Sequence, residues 1–310
     1  MNYIAEYEII TTVYNNEADI KPFLDQIAVQ SLTPVRVIMV DGGSVDRTPK
    51  MVQALERSYP FEIKFLRSKE RKNISEGFNI GIKASAAELL VLTAVGNSLS
   101  SSFCYNLVST ATSNSNVDVC YPKIIGEKNS ILSILFNRYY LNTQQIAKMG
   151  PSNRGVLIRR DVFDTVGLFK ENFYYAGEDT EFFIRCRRQG MRLEYNENAV
   201  VTWDVPRNIG ELHRKLKVNA IADLQLFSTQ WLIKHHFIFA LLCFACIVTL
   251  IKFPLELLLL IFIIFSAASI YRGIDLLSIL FGIYCKLLTV FFVCRFAKFR
   301  RRKYAVGRVV

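Results

Sequence analysis

From Ile9 to about Val201 short β-rich runs alternate with helical stretches, and no other feature narrows the fold as far. EIITTVY (8–14), VRVIMVD (35–41), FEIKFLR (61–67), ELLVLTAV (88–95) and VDVCYPK (117–123) read as strands. Between them Glu17 to Gln30 predicts a helix, because Ile20, Phe23, Leu24 and Ile27 recur at helical spacing. Thr48 to Tyr59 and Ser75 to Ala84 do the same. Such alternation predicts an α/β domain with a largely parallel sheet. Ligands of such sheets bind beyond the carboxyl ends of the strands, so the residues just after each strand carry the functional signal.

The second half of the chain is different. Overall 51% of residues are hydrophobic and mean hydropathy is +0.23, more than a soluble domain needs. Three apolar stretches supply the excess: Phe237 to Ile251, Phe253 to Tyr271 and Leu276 to Val293. At about 1.5 Å per residue the latter two approach the roughly 30 Å hydrocarbon core, and the first is short. Two or three crossings are compatible with the hydropathy. The net charge of +11 is concentrated in Arg295, Lys298, Arg300, Arg301, Arg302, Lys303 and Arg308, whereas residues 1–230 carry 27 basic and 25 acidic side chains. A near-neutral domain shows no footprint for a polyanion, so no nucleic-acid partner is expected. The basic end predicts a cytoplasmic tail.

The domain expectations are an α/β domain over 1–208, an amphipathic interfacial or linker helix over 209–230, a membrane region over 231–297 and a basic tail over 298–310. In the linker Ile209, Leu212, Leu216, Ala220, Leu224, Phe227 and Trp231 form one stripe, which suits either an interfacial helix or one packed on a protein core. The start of the chain lacks the basic and apolar regions of a signal peptide, so the first domain is expected on the cytoplasmic side of the inner (plasma) membrane. Seven cysteines without a regular spacing suit a reducing compartment, and the Cys243–Cys246 pair lies in an apolar run, where cysteine serves as a small hydrophobe.

The first strand ends in Thr11-Thr12-Val13-Tyr14-Asn15-Asn16-Glu17 and the second in Val40-Asp41-Gly42-Gly43-Ser44-Val45-Asp46-Arg47-Thr48. Together they resemble the paired nucleotide-binding signatures of family 2 glycosyltransferases, T-x-Y-N-x-E and V-D-G-G-S-x-D-x-T. An acid at a strand end can accept from a base N–H, and glycines admit close approach of the backbone. The resemblance implies a GT-A nucleotide-sugar-binding domain, a Rossmann-like mixed sheet, followed by transmembrane helices. It places Thr12, Tyr14 and Glu17 around the nucleoside and Asp41 on the base; Ser44 or Asp46 could equally cap the next helix. The segment Arg71 to Ala84 is similar to the family's G-I-S-x-A-R-N-x-G-I-x-x-A, with Asn73 and Phe78 as departures. There Lys72 and Asn79 are expected on the donor, while Gly81 serves close packing on the sheet.

The family places an Asp-x-Asp metal motif where this chain has Ala94, Val95 and Gly96. Mg²⁺ or Mn²⁺ requires anionic oxygens, and Asn97 offers one neutral amide. Three readings stay open: a metal held by the diphosphate and a shifted ligand, a metal-independent enzyme using cations such as Lys72 or Arg154, or a domain that has lost catalysis. The divalent cation is therefore a doubtful cofactor, and the nucleotide-sugar donor is the implied substrate.

Pro151 to Phe169 and Ala176 to Arg185 resemble the family's acceptor half, F-R-R-x-x-F-x-x-V-G-x-F-x-E-x-x-x-x-x-E-D-x-E-x-x-x-R. An inverting transfer needs a carboxylate to take the acceptor's proton. By the resemblance Asp179 is that base, while Glu178 either positions the acceptor or caps a helix; a cap is the alternative for Asp179 as well. Arg154 and Trp203 are expected at the acceptor, the indole stacking on a sugar face. The Q-x-x-R-W of processive synthases is missing, which favours single addition. A membrane lipid or lipid-linked saccharide is the expected acceptor, with polysaccharide assembly proteins as partners. The rival expectation is a degenerate nucleotide-sugar-binding subunit of such an assembly.

Overall fold

The computed structural model describes residues 5–141, 150–173, 176–226, 280–293 and 295. The chain divides into two compact units: Met1–Glu127 with Thr143–Tyr174 and Glu178–Asp204, and Lys128–Asn142 with Tyr175–Gly177 and Val205–Val310.

The first unit contains β1 (Tyr7–Val13), α1 (Ile20–Ala28), β2 (Arg36–Asp41), α2 (Thr48–Leu55), β3 (Glu62–Arg67), α3 (Ile74–Ala84), β4 (Leu89–Thr93), β5 (Ser98–Leu99), α4 (Phe103–Ser113) and β6 (Val119–Gly126). After β7 (Gly155–Arg159) follow α6 (Arg160–Val166), α7 (Glu178–Arg188) and β8 (Leu193–Trp203). The eight strands form one sheet in the order β3-β2-β1-β4-β7-β6-β8-β5. β3, β2, β1 and β4 are mutually parallel. β7 runs antiparallel to both β4 and β6, and β5 antiparallel to β8. β6 and β8 are again parallel, so the sheet is mixed and the largely parallel expectation fails around β7 and β5. A buried strand reads as the same apolar run in either direction, so polarity leaves no mark on the hydropathy pattern.

Helix α1 buries Ile20, Phe23, Leu24 and Ile27, as its spacing predicts. It starts three residues later than Glu17 because Asn16 to Asp19 close a turn, with Asp19 N donating to Asn16 O. Helix α3 begins with a capping box between Asn73 and Glu76. Its Gly81 meets Ile10 so closely that a Cβ there would overlap the Ile10 side chain. That contact seats α3 on β1 and sets where the ends of β1 and β2 open.

In the second unit α5 (Ile131–Tyr140) and α8 (Ile209–Leu226) are accompanied by a helical stretch over 280–293. The α8 stripe is buried at Leu212, Leu216, Ala220 and Leu224. Ala220 and Leu224 cluster with Val293, so this part of the stripe packs on protein. Leu280, Tyr284, Leu287 and Phe291 instead leave an exposed apolar row at helical spacing. Among the described residues no helix is long and apolar enough to cross a membrane. Most of the apolar stretches, Cys243–Cys246 and the basic tail lie outside the described residues.

Candidate functional site

The loops after β1 and β2 are laced together by side chains that bond the opposite backbone. Asn15, at φ 54°, donates its N–H to Ser44 Oγ (2.9 Å), and its side-chain oxygen accepts from Val45 N (3.0 Å). Asn16 N donates to Thr48 Oγ1 (2.7 Å) and Glu17 N to Asp46 Oδ2 (3.3 Å). Glu17, expected at the nucleoside, has one carboxylate oxygen on Arg47 N (2.9 Å), at the entrance to α2. Gly43 has φ +85°, and a Cβ there would lie 2.8 Å from Glu70 O, so glycine lets the 70–72 segment close over the β2 end.

These loops border an open cavity of about 320 Å³ whose lining includes Thr12, Tyr14, Gly42, Arg71, Lys72 and Ala94. The Arg71 guanidinium lies 3.4 Å over the Tyr14 ring and donates to the carbonyls of Gly42 and Lys72. Lys72 Nζ reaches Glu76 at 3.2 Å and Glu70 at 3.8 Å. Asp41 is fully buried between the lining residues Val40 and Gly42. Its Oδ1 accepts from Ser44 N (2.9 Å), while Oδ2 has no hydrogen-bond partner and lies 3.7 Å from Arg67 Nε. Asn79 points elsewhere. Its amide donates to Phe169 O and Glu171 Oε1 and accepts from Phe169 N, so it clamps the 169–171 loop.

The metal position fits a divalent cation poorly. Ala94 lines the cavity, and Gly96 is exposed at φ +92°. Asn97 is buried with its NH₂ on Arg154 O (2.8 Å). Among the described residues no three His, Cys, Asp or Glu side chains converge on one point.

On the other half of the sheet, Glu178 and Asp179 open α7 and add acid to the positive end of that helix. Asp179 Oδ1 accepts from Thr180 N (2.7 Å) and Thr180 Oγ1 (3.3 Å). Glu178 is buried and accepts from Asn153 Nδ2 (3.3 Å). Burial, reinforced by the neighbouring Asp179, pushes its carboxyl up to about 7, against the opposing pull of Asn153 and Arg154. Burial lowers the Arg154 guanidinium from its ordinary value, while Asp179 and Glu178 act to raise it. That guanidinium lies 3.7 Å over the Trp203 ring at the end of β8. The structure therefore brings Glu178, Asp179, Arg154 and Trp203 into one electrostatic neighbourhood. Two participants carried no expectation: Arg71, whose adjacency to Lys72 was its only signal, and Asn153, a buried side chain whose Oδ1 has no partner.

The chain matches the family model Glycosyl transferase family 2 over residues 8–167 and the model Glycosyl transferase family group 2 over residues 133–296. No curated protein sequence matches it. Among solved structures it resembles the mannosyltransferase PcManGT from Pyrobaculum calidifontis in complex with GDP-Man and Mn²⁺. The TM-score is 0.63 at 16% identity, covering 94% of this chain and 88% of that one. It also resembles S. aureus TarS 1-349 in complex with UDP, with TM-score 0.53 at 16% identity, covering 71% of this chain and 66% of that one. At these identities the likeness is one of fold, a mixed α/β GT-A arrangement. The match of the family 2 model to more than half of the sequence establishes that the chain belongs to the family 2 glycosyltransferases.

Proposed function

We propose that this glycosyltransferase takes its sugar from a nucleotide diphosphate donor bound across the ends of β1, β2 and β4. The observation that carries the reading is Asp41, a fully buried carboxylate beside the cavity with one oxygen left without a hydrogen-bond partner. That oxygen has only the Arg67 guanidinium at 3.7 Å, outside hydrogen-bond reach, and a ligand N–H such as a nucleobase imide would supply the missing bond. The similar structures, solved in complex with GDP-Man and with UDP, support a nucleotide ligand.

The transfer inverts the anomeric centre. The acceptor oxygen attacks the anomeric carbon, the bond from that carbon to the diphosphate oxygen breaks, and the nucleoside diphosphate leaves with the electron pair. Asp179 takes the acceptor's proton. Glu178 and Arg154 shape the field around it, and Trp203 gives the acceptor sugar an aromatic wall. Addition is single, and the acceptor is a membrane lipid or lipid-linked saccharide at the cytoplasmic face of the inner membrane. The exposed row Leu280, Tyr284, Leu287 and Phe291 supports membrane contact. A place in a polysaccharide assembly complex follows from that acceptor class.

A second reading, a degenerate nucleotide-sugar-binding subunit, is favoured by Ala94 and Gly96 at the metal position. One experiment separates the two. The purified chain is screened with UDP- and GDP-sugars for thermal stabilisation, then incubated with a lipid extract while nucleoside diphosphate release is followed. A donor at 100 times its dissociation constant should stabilise by about 2.7 kcal/mol. Stabilisation with release supports the transferase, stabilisation without release supports the subunit, and no stabilisation by any nucleotide sugar overturns both.

A further inference from the structure

We infer that the donor diphosphate is held by Arg71 and Lys72 without a divalent cation, a step that rests on the nucleotide-donor reading above. The lining of the cavity holds two cations and neither Asp nor Glu. Ala94, which stands where a metal carboxylate would, lines the same cavity as both cations. A Mg²⁺ or Mn²⁺ site presents anionic oxygens to the ion, whereas this wall presents positive charge and is built for an anion.

The two cations differ in how free they are. Lys72 shares its charge with Glu76 at 3.2 Å. Arg71 donates to the backbone carbonyls of Gly42 and Lys72 and, among the described residues, forms no ion pair with a carboxylate. Its guanidinium, stacked on Tyr14, keeps further N–H groups for a bidentate grip on phosphate oxygens. Asn97 gives its NH₂ to Arg154 O and leaves a cation only a neutral amide oxygen, a weak ligand without a carboxylate beside it. Gly96 combines exposure with φ +92°, a conformation an aspartate there would adopt only under strain.

Calorimetric titration of the full chain with UDP and with GDP, in EDTA and in Mn²⁺, tests this. The tighter of the two nucleotides should bind with dissociation constants that agree within about threefold between the two buffers. Arg71→Ala and Lys72→Ala should each weaken binding about 10- to 100-fold in EDTA, and Arg71→Lys should recover part of the loss. Recovery by lysine separates lost charge from a collapsed loop. Ala94→Asp should weaken binding in EDTA and regain it with Mn²⁺, because it adds the missing anionic oxygen. Binding that falls more than tenfold when Mn²⁺ is removed overturns the inference while leaving the nucleotide reading standing. Absence of binding to either nucleotide in both buffers overturns the nucleotide reading and this inference with it.

Discussion

The two halves of the sheet treat their polar groups in opposite ways. Beyond the parallel half, at the ends of β1 and β2, nearly every polar side chain is spent on a backbone group of the facing loop: Asn15, Glu17, Ser44, Asp46 and Thr48 all do this. Asp41, in contrast, keeps a buried carboxylate oxygen without a hydrogen bond. Beyond the half that contains β7, β6 and β8, charge is held back from water with few partners. Glu178 has one weak side-chain bond, and Arg154 lies against an indole. A satisfied lattice gives a fixed shape that a ligand can be matched to. Desolvated charge gives groups whose protonation and field respond to a ligand, which chemistry needs.

The sharpest way to break this division is Asp179→Asn. The amide keeps the shape and can still accept from Thr180 N, but it cannot take a proton. Transfer should fall about 10²- to 10⁴-fold while the affinity for UDP or GDP stays at its wild-type value. Wild-type turnover in a purified assay would reduce Asp179 to a helix cap and hand the base role to another carboxylate.

That prediction was within reach of the sequence, and the contrast in legibility follows the same division. β1, β2 and β4 are short apolar runs closed by turn chemistry, so their ends could be placed and the motif residues found. α3 could be read as closely packed through Gly81, and that contact is present. β8 resists such reading. LEYNENAVVTW carries Asn and Glu in mid-strand, and its register against β6 shifts after Pro122, which has no N–H to continue the ladder. Burial of polar groups is invisible too. The motif marks Asp41 as a ligand for the base but does not disclose that it is fully buried. Asn79 fits a donor contact by motif, yet its amide is consumed by a loop 90 residues away. The character of Glu178 depends on Asn153 and Arg154, distant in sequence.

On the satisfied side, Asp41→Asn sharpens the comparison. The amide oxygen can keep the Ser44 N–H, so the loop should persist. What disappears is the charged acceptor offered to a base. Nucleotide affinity should drop about 10- to 100-fold, while the Tm should stay near that of wild type, because the contact given up is a long one, 3.7 Å, to the exposed Arg67 guanidinium. A variant that unfolds, yet binds normally once folded, would make Asp41 a structural residue.

A smaller effect separates packing from function on the same half. Gly81→Ala forces a Cβ into Ile10 and should cost about 1–3 kcal/mol by urea denaturation. Gly96→Ala meets open space, so only its φ of +92° is penalised, at about 1 kcal/mol. Equal losses would mean that α3 can slide on β1, and the seat of the donor loops would be softer than the contact implies.

The smallest effect probes the desolvated charge itself, through Glu178→Gln. A carboxyl raised from 4.5 to about 7 binds its proton more tightly in the folded chain than in the unfolded one. Between those values the native state holds more protons, so stability falls as pH rises through the window, and the loss is complete above pH 7. Below pH 4.5 both states are protonated and the penalty vanishes. Glutamine has nearly the same shape, can still accept from Asn153 Nδ2 and never ionises. Its Tm should therefore exceed that of wild type by a few degrees at pH 8, with the gap closing as the pH approaches 4.5. Thermal unfolding at several pH values measures the gap directly. A constant gap across that range would mean that Glu178 is ionised throughout, held so by Arg154, and the acceptor half would then be as fully paired as the donor half.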